Sequence, residues 1–361
     1  MYLESIDPVA AYSAPAAEMG PNGATIRTVL PPASPAPSGQ TAEISVLTYN
    51  IRGLPWPIAM GRGKALRDIG QELAAMRREG RQPDVVLIQE GFRDEVASLF
   101  EESGYKYWAE GPSRTERTAF AGAVLRARDA FRGEGVGKLM GAGLHVLSDA
   151  PIVDVRSAAY NNCAGFDCLA NKGAMLVRLA PIGFPTTIDV VNTHMNARKA
   201  SAAPGSRTLP AHNGQVRELS AFLKANRDAD APLLLGGDFN IRNSPTRYYY
   251  DALERPYTVV SEFCSRPDSG CGDGAADATS EPWLRSQDLQ AFSPGAVRVQ
   301  PINSETLFTT ADPKRRYSDH DGYLVRYQLF WNTQTLAAVY RPNPAMVVKA
   351  HKLGLKVSWR P

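Results

Sequence analysis

An aspartate and an asparagine lie two positions apart in the segment "LLLGGDFNIR", at Asp238 and Asn240. The three leucines before them are typical of a buried strand. Side chains at i and i+2 of an extended chain share a face, so the carboxylate can orient a water while the amide contacts a phosphoryl oxygen. Gly236 and Gly237 have no Cβ and permit close approach of backbone or ligand. The segment therefore predicts a carboxylate and an amide on one face at the end of a strand.

Other apolar segments also end in polar residues. "ISVLTYN" ends at Asn50, "DVVLIQE" at Glu90 and "TTIDVVNTH" at His194, while "YSDHDG" carries Asp319 and His320. A single Asp or Asn after a strand is ordinary turn chemistry. Layered α/β sheets place their ligand sites beyond the strand ends, so the repetition predicts that these groups meet in one cleft.

The donor types in these segments favour a hard cation. Five residues offer oxygen ligands: Asn50, Glu90, Asp238, Asn240 and Asp319. Such donors suit Mg²⁺ or Mn²⁺, and no Cys-x-x-Cys spacing supports zinc. A histidine can exchange protons near neutral pH or, when charged, stabilise an oxyanion, which gives His194 and His320 possible catalytic roles.

Composition bounds the class of protein. The 361 residues suffice for one large domain or two ordinary ones, and the net charge of +3 shows no basic cluster of the kind that nucleic-acid-binding proteins usually carry. No apolar stretch approaches the ~20 residues of a membrane-spanning helix. No secretory segment follows Met1. We expect a monomer without a transmembrane segment.

The positions of these motifs follow from a mixed order of strands and helices. Residues 1–42 are rich in Ala, Pro, Ser and Gly, which predicts a disordered tail. From Glu43 onward, short β-branched strands mix with two amphipathic helices, "GKALRDIGQELAAMRREG" and "NGQVRELSAFLKAN". This pattern indicates one α/β-type catalytic domain over 43–332. Residues 333–361 form an extension of unknown role.

The four cysteines form two closely spaced pairs, Cys163/Cys168 and Cys264/Cys271, in loops rich in Gly, Asp, Asn or Ser. Two short loops closed by disulfides would suit a secreted or periplasmic protein. Four free thiols in a cytoplasmic enzyme are the alternative, which the sequence leaves open.

Five motifs in the same order resemble the endonuclease/exonuclease/phosphatase superfamily. They are "LTYNIRGLP", "DVVLIQE", "NTHMNA", "GGDFNI" and "YSDHDGYLV", and the match extends over about residues 43–331. The resemblance implies an α/β (α+β) fold, a four-layer α/β/β/α sandwich of two mixed β-sheets flanked by helices. It also implies hydrolysis of a phosphoester bond that depends on Mg²⁺ (or Mn²⁺).

The resemblance further implies a role for each matching residue. Glu90 would hold the ion with Asn50 and Asp319 as the other metal ligands, whereas Asp238 and Asn240 would position the attacking water and the phosphate.

The implied roles of the remaining residues concern proton transfer and substrate binding. His320 would act as base or phosphate ligand, and His194 would stabilise the phosphoryl oxygens or assist the leaving group. An aspartate that orients the last histidine is expected, and Asp288 in "RSQDLQAF" is the best candidate, although its setting departs from the family pattern. Lys172 and Asn196 are expected to contact the substrate.

Two details are similar to the sphingomyelinase-like branch of the superfamily: the opening "NIRGLPWP" and the cysteine-rich segment "CAGFDCLANKGAMLVRL". The favoured hypothesis is a phosphodiesterase that acts on a phospholipid at a membrane surface, sphingomyelin first. Aromatic residues in the predicted cleft loops support a lipid interface: Trp56, Trp108 and Tyr248 to Tyr250. The alternatives are a nuclease acting on DNA or RNA, an inositol-phosphate phosphatase, and an inactive binding module.

Overall fold

The described part of the chain is dominated by two six-stranded sheets. This computed structural model describes residues 39–55, 58–272, 281–310 and 316–331, together with the backbone of 18–19 and 25–26. At the N-terminus, β1 (Glu18–Met19) and β2 (Thr25–Ile26) pair as a two-residue antiparallel ladder. The rest of the predicted tail and the extension 333–361 lie outside the described residues.

The first sheet has the order β13-β14-β3-β4-β6-β5. Its strands are β3 (Gln40–Gly53), β4 (Val85–Gly91), β5 (Tyr107–Glu110), β6 (His145–Ser148), β13 (Arg298–Leu307) and β14 (Gly322–Trp331). Only β3 and β4 pair in parallel, which makes the sheet mixed. Strand β3 begins at Gln40, three residues before the predicted start of the domain at Glu43.

The second sheet has the order β11-β12-β10-β9-β8-β7 and is also mixed, because β9 and β10 are parallel. Its strands are β7 (Ile152–Ala159), β8 (Gly173–Leu179), β9 (Ile188–His194), β10 (Leu233–Asp238), β11 (Thr258–Val259) and β12 (Asp288–Ser293). The strands predicted from apolar segments with polar ends are present as β3, β4, β9 and β10. The strands that "GLHVLSDAPI", "GAMLVRLA" and "HDGYLVRYQLFW" indicate are present as β6, β8 and β14, whereas β1, β2, β5, β7, β11, β12 and β13 were not predicted.

Helices cover the outer face of each sheet. They are α1 (Arg62–Arg78), α2 (Val96–Ser103), α3 (Gly205–Asn226), α4 (Pro245–Glu254) and α5 (Val260–Cys264). The helix predicted from residue 213 begins eight residues earlier, at Gly205. It includes Pro210, a residue that normally disfavours the interior of a helix. None of the helices within the described ranges combines the length and the apolar composition needed to cross a bilayer.

Three apolar cores separate four layers. One lies between the sheets and includes Val46, Leu87 and Leu234. A second packs α1 and α2 on the first sheet, and a third packs α3 and α4 on the second sheet. Burial on both faces explains why β4 reads as an uninterrupted apolar run instead of an alternating one. The predicted four-layer sandwich of two mixed sheets is confirmed.

Polar side chains fix the two sheets against one another. The Gln89 amide donates to Asn192 Oδ1 across the interface at 2.7 Å, and the Gln290 amide donates to the carbonyls of Val46 and Tyr323, both at 2.7 Å. Buried polar groups stabilise a fold only when they are hydrogen-bonded, and these pairs can form in a single relative position of the sheets. The strand ends of both sheets are thereby held at a common edge.

Both cysteine pairs form disulfides, Cys163–Cys168 and Cys264–Cys271, as predicted. The first closes the loop before β8, and the second closes a loop that follows α5. No free cysteine remains among the described residues.

Candidate active site

The polar strand ends of both sheets meet at one edge, which we call the catalytic edge. The parallel strands β3 and β4 end there with Asn50 in register with Gln89, and the parallel strands β9 and β10 end there with His194 in register with Asp238. The antiparallel strand β12 begins there, with Asp288 opposite Asp238. The predicted convergence of the strand ends is present.

Asp238 is the centre of the cluster. Its Oδ2 accepts a hydrogen bond from Asn50 Nδ2 at 3.1 Å and lies 3.3 Å from His194 Nε2 and 3.9 Å from His320 Nε2. Its Oδ1 accepts from the backbone N–H of Asn240 at 2.9 Å. Burial alone would raise the pKa of Asp238, but His194, His320 and the nearby Lys172 hold that pKa well below its usual range. The carboxylate is therefore ionised at neutral pH.

His320 forms a buried pair with Asp288. The imidazole Nδ1 lies 2.8 Å from Asp288 Oδ2. Burial lowers the pKa of His320, but the carboxylates of Asp288 and Asp238 outweigh it and raise the pKa to about 10, while burial raises the pKa of Asp288 to about 6. Around neutral pH the pair consists of an imidazolium and a carboxylate. The distance places Asp288 where the sequence predicted an orienting aspartate.

His194 contacts the side chain of Lys172. The Lys172 ammonium lies 2.9 Å from His194 Nε2 and donates to Asp167 Oδ2 at 2.9 Å and to the carbonyl of Met195 at 3.1 Å. All of these side chains are buried or nearly so. Asp167 was not predicted as a site residue, because only its position in the Cys163–Cys168 loop, five residues before Lys172, could have indicated it.

Two predicted site residues have left-handed backbone conformations. Glu90 has a φ of 59° and Asn240 a φ of 54°, which is uncommon for residues other than glycine. Asn240 Nδ2 donates to the carbonyl of Met195 at 2.9 Å, and this contact fixes the side chain beside Asp238. Strained conformations of this kind are often found at functional sites.

The close approach predicted for the two glycines of "LLLGGD" involves the protein itself. A Cβ at Gly237 would lie 2.1 Å from the carbonyl oxygen of Thr193 in β9, and one at Gly236 would lie 2.8 Å from Leu87 of the facing sheet. The glycines therefore allow β10 to pack tightly between its neighbours.

Asp238 and Asp288 could hold a metal ion through their carboxylates, and His320 completes a group of three potential ligands when its ring is neutral. Each offers one ligand atom, and these atoms lie within 4.8 Å of one another. Among the described residues, Glu90 and Asp319 belong to no such group of three, and a carboxylate oxygen of the exposed Asp319 lies 3.8 Å from Arg52 Nε. Carboxylate donors of this kind fit Mg²⁺ or Mn²⁺, and Asp288 Oδ1 is buried with no hydrogen-bond partner in the described structure.

Asn196 lies outside the cluster. Its side-chain amide donates to the carbonyl of Ala197 at 2.8 Å, and its Oδ1 accepts from the N–H of Ala164 at 2.8 Å. The side chain is fully buried. Its position therefore does not support the predicted contact with substrate, since its side chain bonds to the loop before β8 and to the segment after β9.

Two buried arginines position the site loops and were not predicted. Arg62 donates to the carbonyls of Ile51, Arg52 and Tyr317, and so connects the loop after Asn50 to the loop before His320. A lone arginine has no diagnostic spacing, so the sequence gives no signal for this role.

Arg247 of α4 has the equivalent role on the second sheet. It donates to the carbonyls of Asn196, Asn240 and Thr208 at 2.6, 3.1 and 3.1 Å. Burial, together with the charge of Arg198, lowers the pKa of Arg247 to about 10, which leaves the guanidinium charged at neutral pH.

A cavity of about 480 Å³ opens beside His320. Three arginines are among the residues that line it: Arg242, Arg285 and Arg316. Trp283, Asp319 and Tyr323 also contribute to its wall. The cavity therefore presents cationic, aromatic and acidic groups next to the residues of the cluster.

Residues 47–320 match the Endonuclease/Exonuclease/phosphatase family. The chain belongs to this family. The match covers the Asp238 cluster from β3 to His320, as the five sequence motifs predicted. A curated relative, sphingomyelinase C of Listeria ivanovii, is 31% identical over 114 residues, which are 31% of this chain and 32% of the relative. The matched part thus spans about a third of that relative's length.

Several solved structures share the fold. Sphingomyelinase C from Streptomyces griseocarneus has a TM-score of 0.52 at 23% identity and covers 79% of this chain and 99% of its own. Beta toxin from Staphylococcus aureus, with bound magnesium ions, has a TM-score of 0.50 at 15% identity and covers 80% and 99%. D. rerio TDP2, complexed with a single-strand DNA product, has a TM-score of 0.52 at 13% identity and covers 79% and 99%.

Proposed function

We propose that this family member is a Mg²⁺-dependent phosphodiesterase that hydrolyses phospholipids, with sphingomyelin as the preferred substrate. The observation that carries the proposal is the buried Asp238 carboxylate between two histidines at the catalytic edge. The relation to a sphingomyelinase C supports the lipid substrate. The magnesium ions bound to beta toxin support the choice of metal.

The metal ligands follow the sequence motifs. Glu90, with Asn50 and Asp319, would hold the cation, and the carboxylates of Asp238 and Asp288 offer further oxygen donors. When bound, a divalent cation supplies positive charge that neutralises a phosphate oxygen and lowers the pKa of water.

The side chains of the cluster would orient the attacking water, bind the phosphate and donate hydrogen bonds to it. Asp238, ionised and fixed by Asn50, accepts a hydrogen bond from the attacking water and orients it. The Asn240 amide has one N–H left after its bond to Met195 and can donate to a phosphoryl oxygen. The His320 imidazolium, held through Nδ1 by Asp288, has its Nε2–H available for a phosphoryl oxygen or the leaving group.

The proposal can be tested with a panel of substrates. Sphingomyelin, phosphatidylcholine, inositol phosphates and plasmid DNA are incubated with the protein in Mg²⁺ and after exhaustive chelation with EDTA. We expect release of phosphocholine from sphingomyelin in Mg²⁺ and no turnover in EDTA. Full activity after chelation would refute the metal-dependent mechanism, whatever the substrate.

Nucleic acid is a second candidate substrate, because Arg242, Arg285 and Arg316 line the cavity beside His320. Arginine is well suited to bind phosphate groups in pairs of hydrogen bonds. The TDP2 structure with a DNA product has the same fold. Plasmid nicking at physiological salt without release of phosphocholine would favour this candidate over the lipid.

A further inference from the structure

Exposed apolar side chains concentrate in the loops at the catalytic edge. The register of β6 with β4 and β5 places His145 and Glu110 there, so the long β5–β6 loop, residues 111–144, emerges at this edge. The loop before β8 and the loop after β3 emerge there as well. These three loops contain Ile58, Met60, Phe131, Val136, Leu139 and Phe166, all of them exposed. We call these six residues the apolar rim.

The opposite edge of the sandwich differs. Phe131 is 99% exposed at the catalytic edge. The other edge contributes fewer large exposed apolar residues, namely Ile182 in the turn between β8 and β9, Tyr107 and Trp108 at the start of β5, and Val153 at the start of β7. Turn residues at that other edge, such as Asp149 and Asp228, are acidic. A soluble surface scatters exposed apolar residues singly, and their concentration on one side indicates an interaction surface.

The rim rests on fixed loops. Within the β5–β6 loop the buried Glu134 accepts from the N–H groups of Arg128 and Gly165 at 2.8 and 3.0 Å and forms an ion pair with Arg207 of α3. The N–H of Leu139 donates to the carbonyl of Leu169 at 2.7 Å. These bonds join the loop to the segment that carries Phe166. The exposed side chains of the rim therefore belong to two loops that are hydrogen-bonded to each other, and the second of these loops leads directly to Lys172.

The loop also has the charge of a surface that binds anions. Residues 111–144 contain six Lys and Arg and three Asp and Glu, and one of those acids, Glu134, is buried with Arg207. Apolar side chains beside cationic ones match a bilayer, because the first enter the boundary between headgroups and acyl chains and the second contact lipid phosphates.

We propose that the apolar rim docks this protein on a lipid bilayer, with a preference for membranes that contain anionic lipid. The inference rests on the proposed function in one respect, namely that the scissile phosphoester belongs to a membrane lipid. Docking through the rim would bring the Asp238 cluster to the headgroup layer, because the rim and the cluster share one edge of the sandwich.

The test measures binding separately from hydrolysis. Co-sedimentation uses vesicles of phosphatidylcholine with and without phosphatidylglycerol, which lack sphingomyelin. The variant is Phe131→Ser with Leu139→Ser, and the matched control is Ile182→Ser at the opposite edge. We expect the double variant to bind vesicles at least about tenfold more weakly. The control should bind like the wild type, and binding of the wild type should increase with phosphatidylglycerol and decrease with salt.

A soluble diester, bis(4-nitrophenyl) phosphate, reports on the proposed function alone. We expect the double variant to hydrolyse it at the wild-type rate. Hydrolysis of this diester by a wild-type protein that does not bind vesicles would overturn docking and leave the proposed function in place, whereas vesicle binding lost only in the double variant supports docking even if no diester is hydrolysed. An equal loss of vesicle binding in Ile182→Ser would overturn docking through the rim. Docking would also be overturned if the wild-type protein did not bind vesicles but formed a dimer that the double variant abolished.

Discussion

The two histidines at the catalytic edge differ in the charges that surround them. His320 lies between the carboxylates of Asp288 and Asp238, whereas His194 lies between Asp238 and the ammonium of Lys172. Two neighbouring carboxylates favour the imidazolium form of His320. His320 is thus suited to donate a proton or a hydrogen bond, whereas His194 contacts both Asp238 and Lys172.

The negative charge of Asp288 is expected to determine both the pKa of His320 and the rate of turnover. In Asp288→Asn an amide oxygen can still accept from Nδ1, so the ring should stay in place, but the negative charge is lost. We expect the pKa of His320 to fall from about 10 toward its ordinary value of 6.5 and turnover to fall at least about 100-fold. Titration of the histidine resonances by NMR and steady-state kinetics check the two effects.

His320→Ala serves as the comparison, with turnover again lower by at least about 100-fold. An Asp288→Asn protein with an unchanged His320 pKa would contradict the electrostatic role of Asp288. Near-normal turnover in His320→Ala would contradict the role of His320 itself.

At the scale of elements, the loop closed by Cys163–Cys168 connects a disulfide to the site. Asp167 in this loop accepts from Lys172 and from the N–H of Ala197, and Gly165 approaches the carbonyl of Ser201 so closely that a Cβ would lie 1.9 Å from it. The conformation of this short loop therefore determines where the Lys172 ammonium lies. The second disulfide closes a loop after α5, where Cys271 Sγ contacts the carbonyl of Pro301 and Cys264 packs on the core between the sheets.

The two disulfides give a matched pair of variants. Each short loop closure is expected to contribute about 2 kcal/mol to the free energy of unfolding. Cys163→Ser with Cys168→Ser should lower both the melting temperature and turnover, because Asp167 loses its fixed position. Cys264→Ser with Cys271→Ser should lower only the melting temperature. Calorimetry and kinetics of both variants provide the measurement, and equal losses of turnover would count against a link between the first disulfide and Lys172.

At the scale of the whole molecule, α3 is tied to the catalytic edge by a buried histidine. His212 Nε2 lies 2.9 Å from the carbonyl of Phe239, between Asp238 and Asn240, and the ring is fully buried. Burial, together with the charge of Arg247, lowers the pKa of His212 to about 3. The imidazole is therefore neutral in the folded protein and donates through Nε2.

This buried ring predicts a dependence of stability on pH. The unfolded chain binds a proton at His212 below pH 6.5, whereas the folded protein binds it only near pH 3. The free energy of unfolding should therefore decrease as the pH falls through this window, by up to about 1.4 kcal/mol per pH unit for this one group. His212→Gln should flatten the dependence, because glutamine does not titrate and can donate to the Phe239 carbonyl. Urea unfolding of both proteins between pH 7 and pH 4 measures the slopes, and identical slopes would contradict the prediction.

Local patterns in the sequence are sufficient for much of the fold and for the central site residues. Strands β3, β4, β9 and β10 are marked by apolar runs with polar ends, and those ends supply Asn50, His194 and Asp238. Such patterns are readable because burial acts on each strand separately. Strands such as β7 and β13, whose faces are partly exposed, carry a weaker apolar signal and were missed.

The tertiary structure alone decided which side chains face the cleft and which are enclosed. Tyr248, expected at a lipid interface, is buried under Trp283 and its neighbours, and Trp56 lies outside the described residues. Trp108 is exposed on β5, but its register with Leu147 places it toward the edge opposite the Asp238 cluster. The face that a helix such as α4 presents depends on what packs against it, which its own residues do not specify.

Long-range contacts were equally beyond the sequence. Arg62 reaches the carbonyl of Tyr317 across 255 positions of the chain, and Asn50 reaches Asp238 across 188. The amino-acid sequence is sufficient to predict which catalytic side chains are present and which strand ends carry them, because strand patterns depend on neighbouring residues. The distances between those groups, the charge of His320 and the exposed apolar rim were decided only when the two sheets packed face to face, because packing brings distant segments together and removes water from between them.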